Sequence, residues 1–214
     1  QDIIFIPGVE LTTQNGHLLA LGITEHVESF KSFEESIDLI RDAGGIAISS
    51  HPYDMRGEGA RKLALKTDAI EIFNSMNIDR VGNRVMLSKF KNHDIPKVVG
   101  SDAHSPDIIG RCLNIMNDVH DVDSVLKAIL NGKVQFTTDY IHMDEMIAWT
   151  RKRIEHSKTE VLNYINNHYS APRAWLYRKL LKKFLATSDK PWIVLGDISL
   201  CVICSYAFAK TLTY

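Results

Sequence analysis

Short apolar runs alternate with amphipathic stretches along the chain as far as about Thr138. The apolar runs predict strands at residues 3–6, 17–23, 46–49, 69–73, 97–100 and 134–136. Apolar positions at helical spacing predict helices at residues 33–43, 79–93 and 122–130, and Ser32 with Glu35 forms a capping box before the first of these. Strands that alternate with helices favour parallel strands with helical crossovers, as in an α/β barrel or a doubly wound sheet.

Side chains that bind metals come directly after several of these predicted strands. Glu10 follows the first strand, His51 follows the strand at residues 46–49, and Asp102 and His104 follow the strand at residues 97–100. The carboxyl ends of strands form the active-site rim in barrels and in open α/β sheets. We therefore expect these side chains to converge at one rim, within the roughly 10 Å that a site for two or three metals requires.

Beyond about Tyr140 the pattern becomes almost wholly helical and predicts a second unit. We expect residues 1–140 to form the α/β domain and residues 141–214 a helical extension, with helices at 143–169 and 173–186. Residues 172–184 form a basic amphipathic helix with aromatic side chains, a type that lies on membrane surfaces or nucleic acids. The alternative, which we favour, is a solvated basic face on a helix that packs against the α/β domain.

The apolar segment at residues 192–209 is close to the length of a membrane span. Asp197 lies near its middle and would cost about 2.5–3.5 kcal/mol on insertion scales. We therefore expect a helix that is buried within the protein. In such a helix Cys201 and Cys204 are packing residues rather than a redox pair.

Composition adds little to this picture. Of the 214 residues 45% are hydrophobic and 24% are charged, as in ordinary soluble globular proteins. The net charge of −1 gives no general attraction to nucleic acid or membrane, and three scattered cysteines predict a reducing cytoplasm rather than a disulfide framework. The sequence opens at Gln1 with a strand pattern and no signal-peptide pattern, so we expect it to begin inside a longer protein.

Five residues are candidate metal ligands: Glu10, His17, His51, Asp102 and His104. Imidazole and carboxylate together suit Zn, Mn or Fe, which activate water and neutralise phosphate oxygens. Structural interpretations also exist, because a glutamate after Pro-Gly-Val is an ordinary loop residue, a histidine after Asn-Gly an ordinary turn residue, and Ser-Asp a frequent helix cap. The histidines in helical or turn settings are predicted surface residues: His93, His120, His156 and His168.

Five motifs occur in order along the chain: Pro7-Gly8-Val9-Glu10, Asn15-Gly16-His17-Leu18-Leu19-Ala20-Leu21-Gly22, Ser50-His51-Pro52, Ala69-Ile70-Glu71-Ile72-Phe73-Asn74 and Gly100-Ser101-Asp102-Ala103-His104-Ser105. Through these motifs the chain resembles the polymerase-and-histidinol-phosphatase (PHP) superfamily of metal-dependent phosphoesterases, over roughly residues 3–138. The resemblance implies a distorted (β/α)7 barrel in which these segments end successive strands.

The resemblance also implies a site for up to three divalent metals. The carboxylate that matches Glu10 bridges two metals, His17 and His51 complete the ligands of the second, Asp102 belongs to the first, and His104 belongs to the third. The family's His-x-His and Asp-His motifs do not occur in this sequence. We therefore expect the polypeptide to bind at most one metal tightly, at Glu10, His17 and His51, and to be a poor catalyst. His51 and His104 are the residues expected to transfer protons.

The leading hypothesis is that metal-activated water hydrolyses a phosphate monoester or diester. The expected substrate is a phosphorylated small molecule, a nucleotide or a nucleic-acid end. Arg111 is a candidate clamp for the phosphate, although it is also an ordinary surface arginine, and Asn74 at a strand end is a weaker candidate. The rival hypothesis is a non-catalytic barrel that serves as an RNA-binding or scaffold subunit, which the basic tail and the missing motifs favour.

Overall fold

The computed structural model describes residues 3–54, 58–77 and 80–211, without the side chains of residues 210 and 211. One sheet contains β1 (Gly8–Thr13), β2 (Gly16–Leu21), β3 (Ile46–Ser49), β4 (Ala69–Asn74) and β5 (Lys97–Gly100), in the order β1-β2-β3-β4-β5. β2 is antiparallel to both β1 and β3, whereas β3, β4 and β5 are parallel. The sheet therefore joins an antiparallel hairpin to a parallel half.

Three helices and a small second sheet complete this α/β part of the fold. The helices are α1 (Phe33–Asp42), α2 (Val81–Phe90) and α3 (Val122–Leu130), and β6 (Leu113–Ile115) pairs antiparallel with β7 (Gln135–Thr137). Short 3-10 helices lie at Arg61–Lys66 and Pro106–Ile108. The mixed α/β class predicted from the sequence is confirmed.

The first predicted strand is wrong, and this changes the position of Glu10. Residues 3–7 belong to no strand or helix, and Ile3 and Phe5 are 95% and 83% exposed. The strand begins at Gly8 because residues 8–13 pair with β2 across a tight turn. Glu10 consequently lies within a strand rather than after one. The parallel barrel is likewise not seen: the described residues form a five-stranded sheet with an antiparallel edge.

Helix α1 shows how the apolar pattern builds the core. Phe33, Ile37 and Ile40 recur at helical spacing, so they share one face, and that face is buried in a cluster with Leu18 and Ala20 of β2. The predicted N-cap is confirmed, because the Ser32 hydroxyl accepts a hydrogen bond from the backbone N–H of Glu35 at 3.2 Å. The Glu35 carboxylate does not complete the predicted capping box and instead pairs with Lys31 at 2.9 Å.

Substitution Ser32→Ala is expected to lower the free energy of unfolding by about 1 kcal/mol, because it removes an N-cap acceptor from α1. Ser32→Gly should cost only a few tenths of a kcal/mol, since glycine is tolerated at this position. Urea unfolding followed by circular dichroism gives the difference, with Ser29→Ala in the exposed segment before the helix as the control. Equal stabilities for Ser32→Ala and Ser29→Ala would show that the cap contributes nothing.

After β7 the described chain is helical, as the sequence predicts. The predicted helix at residues 143–169 is divided at Ser157 into α4 (Met143–His156) and α5 (Lys158–His168), and α6 (Ala171–Ala186) and α7 (Lys190–Thr211) follow. The expectation that residues 192–209 are buried is wrong. Only 6% of the most apolar 18 residues within Lys190–Ala209 are buried. By length and composition this segment could cross a membrane.

Candidate metal centre

The hairpin of β1 and β2 places Glu10 and His17 beside each other. In the strand register Glu10 lies opposite Leu19 and Thr12 lies opposite His17. Because side chains alternate between the two faces of a sheet, Glu10 and His17 are diagonal neighbours on one face, while Leu11 is buried on the other. Glu10 Oε1 lies 3.4 Å from His17 Nδ1.

His51 reaches the same place from the end of β3. Since β2 and β3 are antiparallel, the start of β2 lies beside the carboxyl end of β3, and the backbone N–H of Ser50 donates to the carbonyl of His17 at 3.3 Å. His51 Nε2 lies 3.4 Å from Glu10 Oε1, and the His17 and His51 rings are edge to face with centroids 5.3 Å apart. We call Glu10, His17 and His51 the ligand triad.

The geometry of the ligand triad fits a divalent cation. One donor atom from each residue can be chosen so that all three lie within 4.8 Å of one another. Ligands at about 2.1 Å from a tetrahedral ion lie about 3.4 Å apart, which is the separation found here between Glu10 Oε1 and each imidazole nitrogen. Two imidazoles and a carboxylate are a donor set for Zn, Mn or Fe. The residues therefore fit the metal that the sequence predicts.

The charges within the triad already favour a carboxylate–imidazolium arrangement. The hydrogen bond from His51 lowers the pKa of Glu10 below its usual value against the opposing effect of burial, and the positive charges of His51 and His17 lower it further. Burial by itself lowers the pKa of His51, but the bond to Glu10 and the negative charges of Glu71 and Asp54 raise it overall. A metal ion must therefore displace a proton that is held more tightly than on an ordinary histidine.

Two of the five predicted ligands have a left-handed backbone. His51 has φ 29° and Asp102 has φ 48°, a region that residues other than glycine seldom occupy. Such a conformation costs of order 1–3 kcal/mol and persists only where the surrounding structure enforces it, most often at functional sites. The fold thus holds both side chains in positions that they would not adopt in a free loop.

Glu71 of β4 connects the triad to Asp102, a role that was not predicted from the sequence. Its Oε2 accepts hydrogen bonds from the backbone N–H of His51 at 2.7 Å and from Asn74 Nδ2 at 3.2 Å. The same Asn74 nitrogen lies 3.4 Å from Asp102 Oδ2. The signal that would have found Glu71 is a lone carboxylate in the apolar run of residues 69–73, which burial makes costly unless it has partners.

The carboxylate of Glu71 is enclosed even though the residue as a whole is only half-buried. A Cβ atom at Gly100 would collide with Glu71 Oε1, so only glycine leaves room for the carboxylate at this point of β5. Burial raises the pKa of Glu71 to about 7, against the lowering effect of His51 and of the hydrogen bond from Asn74. Glu71 therefore changes charge near neutral pH, and it does so beside the triad, where it accepts a hydrogen bond from the His51 backbone.

Asp102 and His104 follow β5, as predicted. Burial raises the pKa of Asp102 above its usual value, and the negative charge of Glu10 raises it too, so the two carboxylates lie close enough to interact. His104 Nδ1 lies 2.7 Å from the carbonyl oxygen of Asp102, and its ring stacks edge to face on Trp149 of α4 with centroids 5.5 Å apart. Because a carbonyl only accepts, Nδ1 carries the proton, which leaves Nε2 as the acceptor in the neutral ring.

The two residues predicted to bind substrate are both engaged by protein groups. Arg111 pairs with Asp139 at 2.9 Å and with Glu145, so a phosphate would have to displace these carboxylates. Asn74 is buried, and its amide oxygen accepts from the backbone of Met76 at 2.9 Å while its nitrogen faces Glu71 and Asp102. These contacts place Asn74 against Asp102, and substrate binding by Asn74 and by Arg111 stays a prediction.

The other histidines named as surface residues have the environment that was predicted. They are exposed and lie outside the triad: His93, His120, His156 and His168. Each makes only local contacts, such as the stacking of His168 on Tyr164 with centroids 4.0 Å apart. His120 therefore offers a suitable control position, because only its backbone N–H, bonded to Ser124, is used in a hydrogen bond of the α3 cap.

Comparison with known proteins supports a relation to the PHP superfamily. Residues 83–134 match the family model described as PHP-associated. The uncharacterized protein MJ1587 of Methanocaldococcus jannaschii is 34% identical over 84 residues, which are 38% of this chain and 49% of that protein. The uncharacterized protein MJ0417 of the same organism is 27% identical over 108 residues, 46% of each chain. The chain spans about half the length of the curated relatives it matches.

The family match and the ligand triad concern different parts of the chain. Residues 83–134 include Asp102, His104 and Arg111 but none of the triad. The fold brings the two parts together, because β5 lies beside β4 and the Asn74 amide at the end of β4 reaches Asp102. The geometry of the triad and the family match are therefore two separate observations on one region of the molecule.

Proposed function

We propose that this chain is a metal-dependent phosphoesterase that uses water to hydrolyse a phosphate monoester or diester. The observation that supports this function most directly is the ligand triad, whose three donor atoms lie within 4.8 Å of one another. The match of residues 83–134 adds the relation to the PHP superfamily. We propose Zn, Mn or Fe as the metal, and a (β/α)7 barrel of the PHP type as the fold to which the five-stranded sheet belongs.

Each residue near the triad has a proposed task. Glu10, His17 and His51 would hold one divalent cation, which when bound supplies Lewis acidity to a phosphate oxygen and to water. Glu71 fixes the backbone of His51, and Asn74 fixes the carboxylate of Asp102. Asp102 and His104 are the proposed ligands of further cations, while Arg111 is the proposed phosphate ligand once it exchanges Asp139 or Glu145 for substrate.

Of the two residues predicted to transfer protons, His104 has the better placement. Its side chain is 49% exposed, and Nε2 is free to accept a proton because Nδ1 donates to the Asp102 carbonyl. His51 Nε2 faces Glu10, and its Nδ1 lies 3.9 Å from Asp54 in a buried setting. A histidine that binds a cation through Nε2 has no lone pair left there for a proton. We therefore assign ligand binding to His51, and we assign proton transfer to His104 for the state in which its Nε2 does not bind a further cation.

The proposed substrate is a phosphorylated small molecule, a nucleotide or a nucleic-acid end. We propose the cytoplasm as the compartment, since Cys112, Cys201 and Cys204 are all free and a reducing environment suits free thiols. Residues 1–140 remain the proposed catalytic domain and residues 141–214 the proposed helical extension. Arg111 links the two, because its partners Asp139 and Glu145 lie on either side of the proposed boundary.

The test is hydrolysis of p-nitrophenyl phosphate and bis-p-nitrophenyl phosphate by metal-free protein reloaded with Zn, Mn or Fe. We expect turnover of at least one ester that requires the metal, is lost with a chelator and returns on reloading. Metal analysis of the same samples should give about one tightly bound cation per chain. Tight metal binding without turnover of either ester would favour the non-catalytic alternative, which an RNA-binding assay of the same protein would then examine.

Substitution Asp102→Asn is expected to lower kcat at least about tenfold while leaving one metal bound at the triad, because Asp102 is not part of that triad. Asparagine keeps the side-chain shape and tolerates the left-handed backbone of residue 102, so the fold should be preserved. The control is Asp107→Asn, which removes an exposed carboxylate paired with Lys152 on the surface. Loss of the triad metal in Asp102→Asn, or unchanged kcat, would contradict the proposed division of roles.

A further inference from the structure

Helix α7 is apolar on all sides but is largely exposed. Its segment Lys190–Ala209 has a mean hydropathy of 1.8, and only 6% of its most apolar 18 residues are buried. Val194, Ile198 and Val202 are 60%, 58% and 64% exposed. A helix that is apolar all round belongs in a large protein core or in a lipid bilayer, and among the described residues no core encloses this one.

The ends and the polar groups of α7 suit a bilayer. Twenty residues of helix span about 30 Å, the thickness of the hydrocarbon layer. Lys190 and Trp192 lie at one end and Tyr206 near the other, the positions where cationic and aromatic side chains meet lipid headgroups. The hydroxyls of Ser199 and Ser205 donate to carbonyls one turn back, at 2.8 Å each, so they need no water.

Helix α7 contacts the rest of the protein along α4 and, near its carboxyl end, along α2. Gly196 packs closely against Met143 of α4, and Ala207 is buried. Near its carboxyl end, Cys204 and Phe208 line an open cavity of about 500 Å³ with residues of α2. Because only 6% of its most apolar 18 residues are buried, most of the apolar surface of α7 is exposed to solvent in this position. Asp197 is exposed and is the one charged side chain of residues 191–209 that opposes insertion.

A basic helix adjoins the start of α7 and indicates which surface it meets. Helix α6 contains five exposed cations and no acidic residue: Arg173, Arg178, Lys179, Lys182 and Lys183. Its carboxyl end is fixed to α7, because Phe184 packs on Trp192 with centroids 5.1 Å apart and Trp192 Nε1 donates to Thr187 at 2.8 Å. A second copy of the chain would bring the same positive charges to α7, whereas anionic lipid headgroups complement them.

We propose that α7 is a membrane anchor that inserts into a lipid bilayer, with α6 lying on the anionic headgroups at its amino-terminal end. The inserted segment is Lys190–Ala209, and the cations of α6 give the anchor its preference for negatively charged lipid. This property is independent of the phosphoesterase activity proposed above, because α7 contributes no residue to the triad.

The test is flotation of the full chain with vesicles of phosphatidylcholine alone or with added phosphatidylglycerol. We expect the protein to float with both, more strongly with the anionic vesicles, and to stay bound in high salt and alkaline carbonate. Ile198→Lys combined with Val202→Lys should reduce the vesicle-bound fraction at least about tenfold, since charges near the middle of a span oppose insertion. Ile109→Lys, at a 71% exposed apolar residue outside α6 and α7, is the matched control.

Three results would overturn the proposal. The protein could remain at the bottom of the gradient as a discrete oligomer, which would show that a second copy covers α7. Release of all protein by high salt would show a purely electrostatic surface contact. Equal flotation of the Ile198→Lys, Val202→Lys variant and the Ile109→Lys control would show that α7 is not inserted. Lys182→Glu with Lys183→Glu should abolish only the preference for anionic lipid, and an unchanged preference would remove α6 from the proposal.

Discussion

Substitution His51→Ala is expected to weaken binding of Zn or Mn by at least about a hundredfold and to reduce phosphoester hydrolysis to background, because loss of a direct ligand costs more than loss of a supporting contact. His51 provides one of the three donors in the triad and is its most buried member, 7% exposed. Without it, Glu10 and His17 form a two-ligand site that is open to solvent. Titration of chelator-treated protein with each metal gives the affinities.

The control variant for this experiment is His120→Ala, which removes an exposed imidazole on the α3 cap. His51→Gly separates loss of the ligand from loss of the fold, because glycine accepts the positive φ of residue 51 without strain. We expect His51→Gly to bind metal as poorly as His51→Ala. Wild-type metal affinity in either variant would exclude His51 as a ligand, and so would an equal loss in His120→Ala.

Metal affinity should also depend steeply on pH. The bond to Glu10 and the nearby carboxylates raise the pKa of His51, so its proton competes with the metal at a higher pH than an ordinary histidine would allow. As pH falls through the raised pKa, His51 becomes protonated and the affinity for metal decreases. In the His51→Ala variant this part of the pH dependence should be absent.

Substitution Glu71→Gln is expected to remove a pH-dependent loss of stability from the metal-free protein. The pKa of Glu71 is about 7 in the folded protein against 4.5 as its ordinary value, so between these values the folded state holds a proton that the unfolded state has released. Stability therefore falls as pH rises from about 5 to about 7, by up to roughly 3 kcal/mol for this carboxyl. Below about pH 4.5 both states are protonated and the penalty is absent.

Glutamine retains the hydrogen bonds of Glu71, because its amide oxygen can accept from the His51 backbone and from Asn74 in place of Oε2. We expect Glu71→Gln to match the wild type at about pH 5 and to exceed it at about pH 8 by up to roughly 3 kcal/mol, measured by urea unfolding with chelator present. Glu28→Gln, at a 72% exposed carboxylate, is the control and should show no such divergence. Parallel stability curves for Glu71→Gln and the wild type would contradict the raised pKa.

Elements with strong local signals could be predicted from the sequence with their bounds. The strands at 46–49 and 97–100 and the helix at 122–130 were placed correctly. Their apolar runs or helical spacing lie between clear boundary signals, such as Asp121 at the start and Gly132 after the end of the helix. β1 was missed because Pro7-Gly8 resembles the end of a strand, and because its buried positions are filled by Leu11 and the polar Thr13. In such a strand the two-residue hydrophobic period is weak.

Features that depend on contacts distant in sequence could not be predicted in this way. The sequence and the resemblance together identified Glu10, His17 and His51, and the structure brings these three together. Glu71 was missed because its partners, the His51 backbone and the space above Gly100, exist only once β3, β4 and β5 are paired. The exposure of α7 was missed because the burial of a helix depends on other elements that have apolar faces to cover it. The sequence of α7 does not specify whether such faces exist.

The hairpin that carries two of the three triad residues also sets an order of assembly. β1 and β2 are joined by Gln14 and Asn15 alone, so Glu10 and His17 meet as soon as this hairpin closes, on a time scale of about 1–10 μs. We expect His51 to join later, because β3 pairs with β2 only across the connection that contains α1. A cation in the site would therefore be held by two donors that meet early, within the hairpin, and by a third donor from a distant part of the chain that joins later. We expect the residence time of the metal to depend on opening of the segment after β3, and not on unfolding of the hairpin.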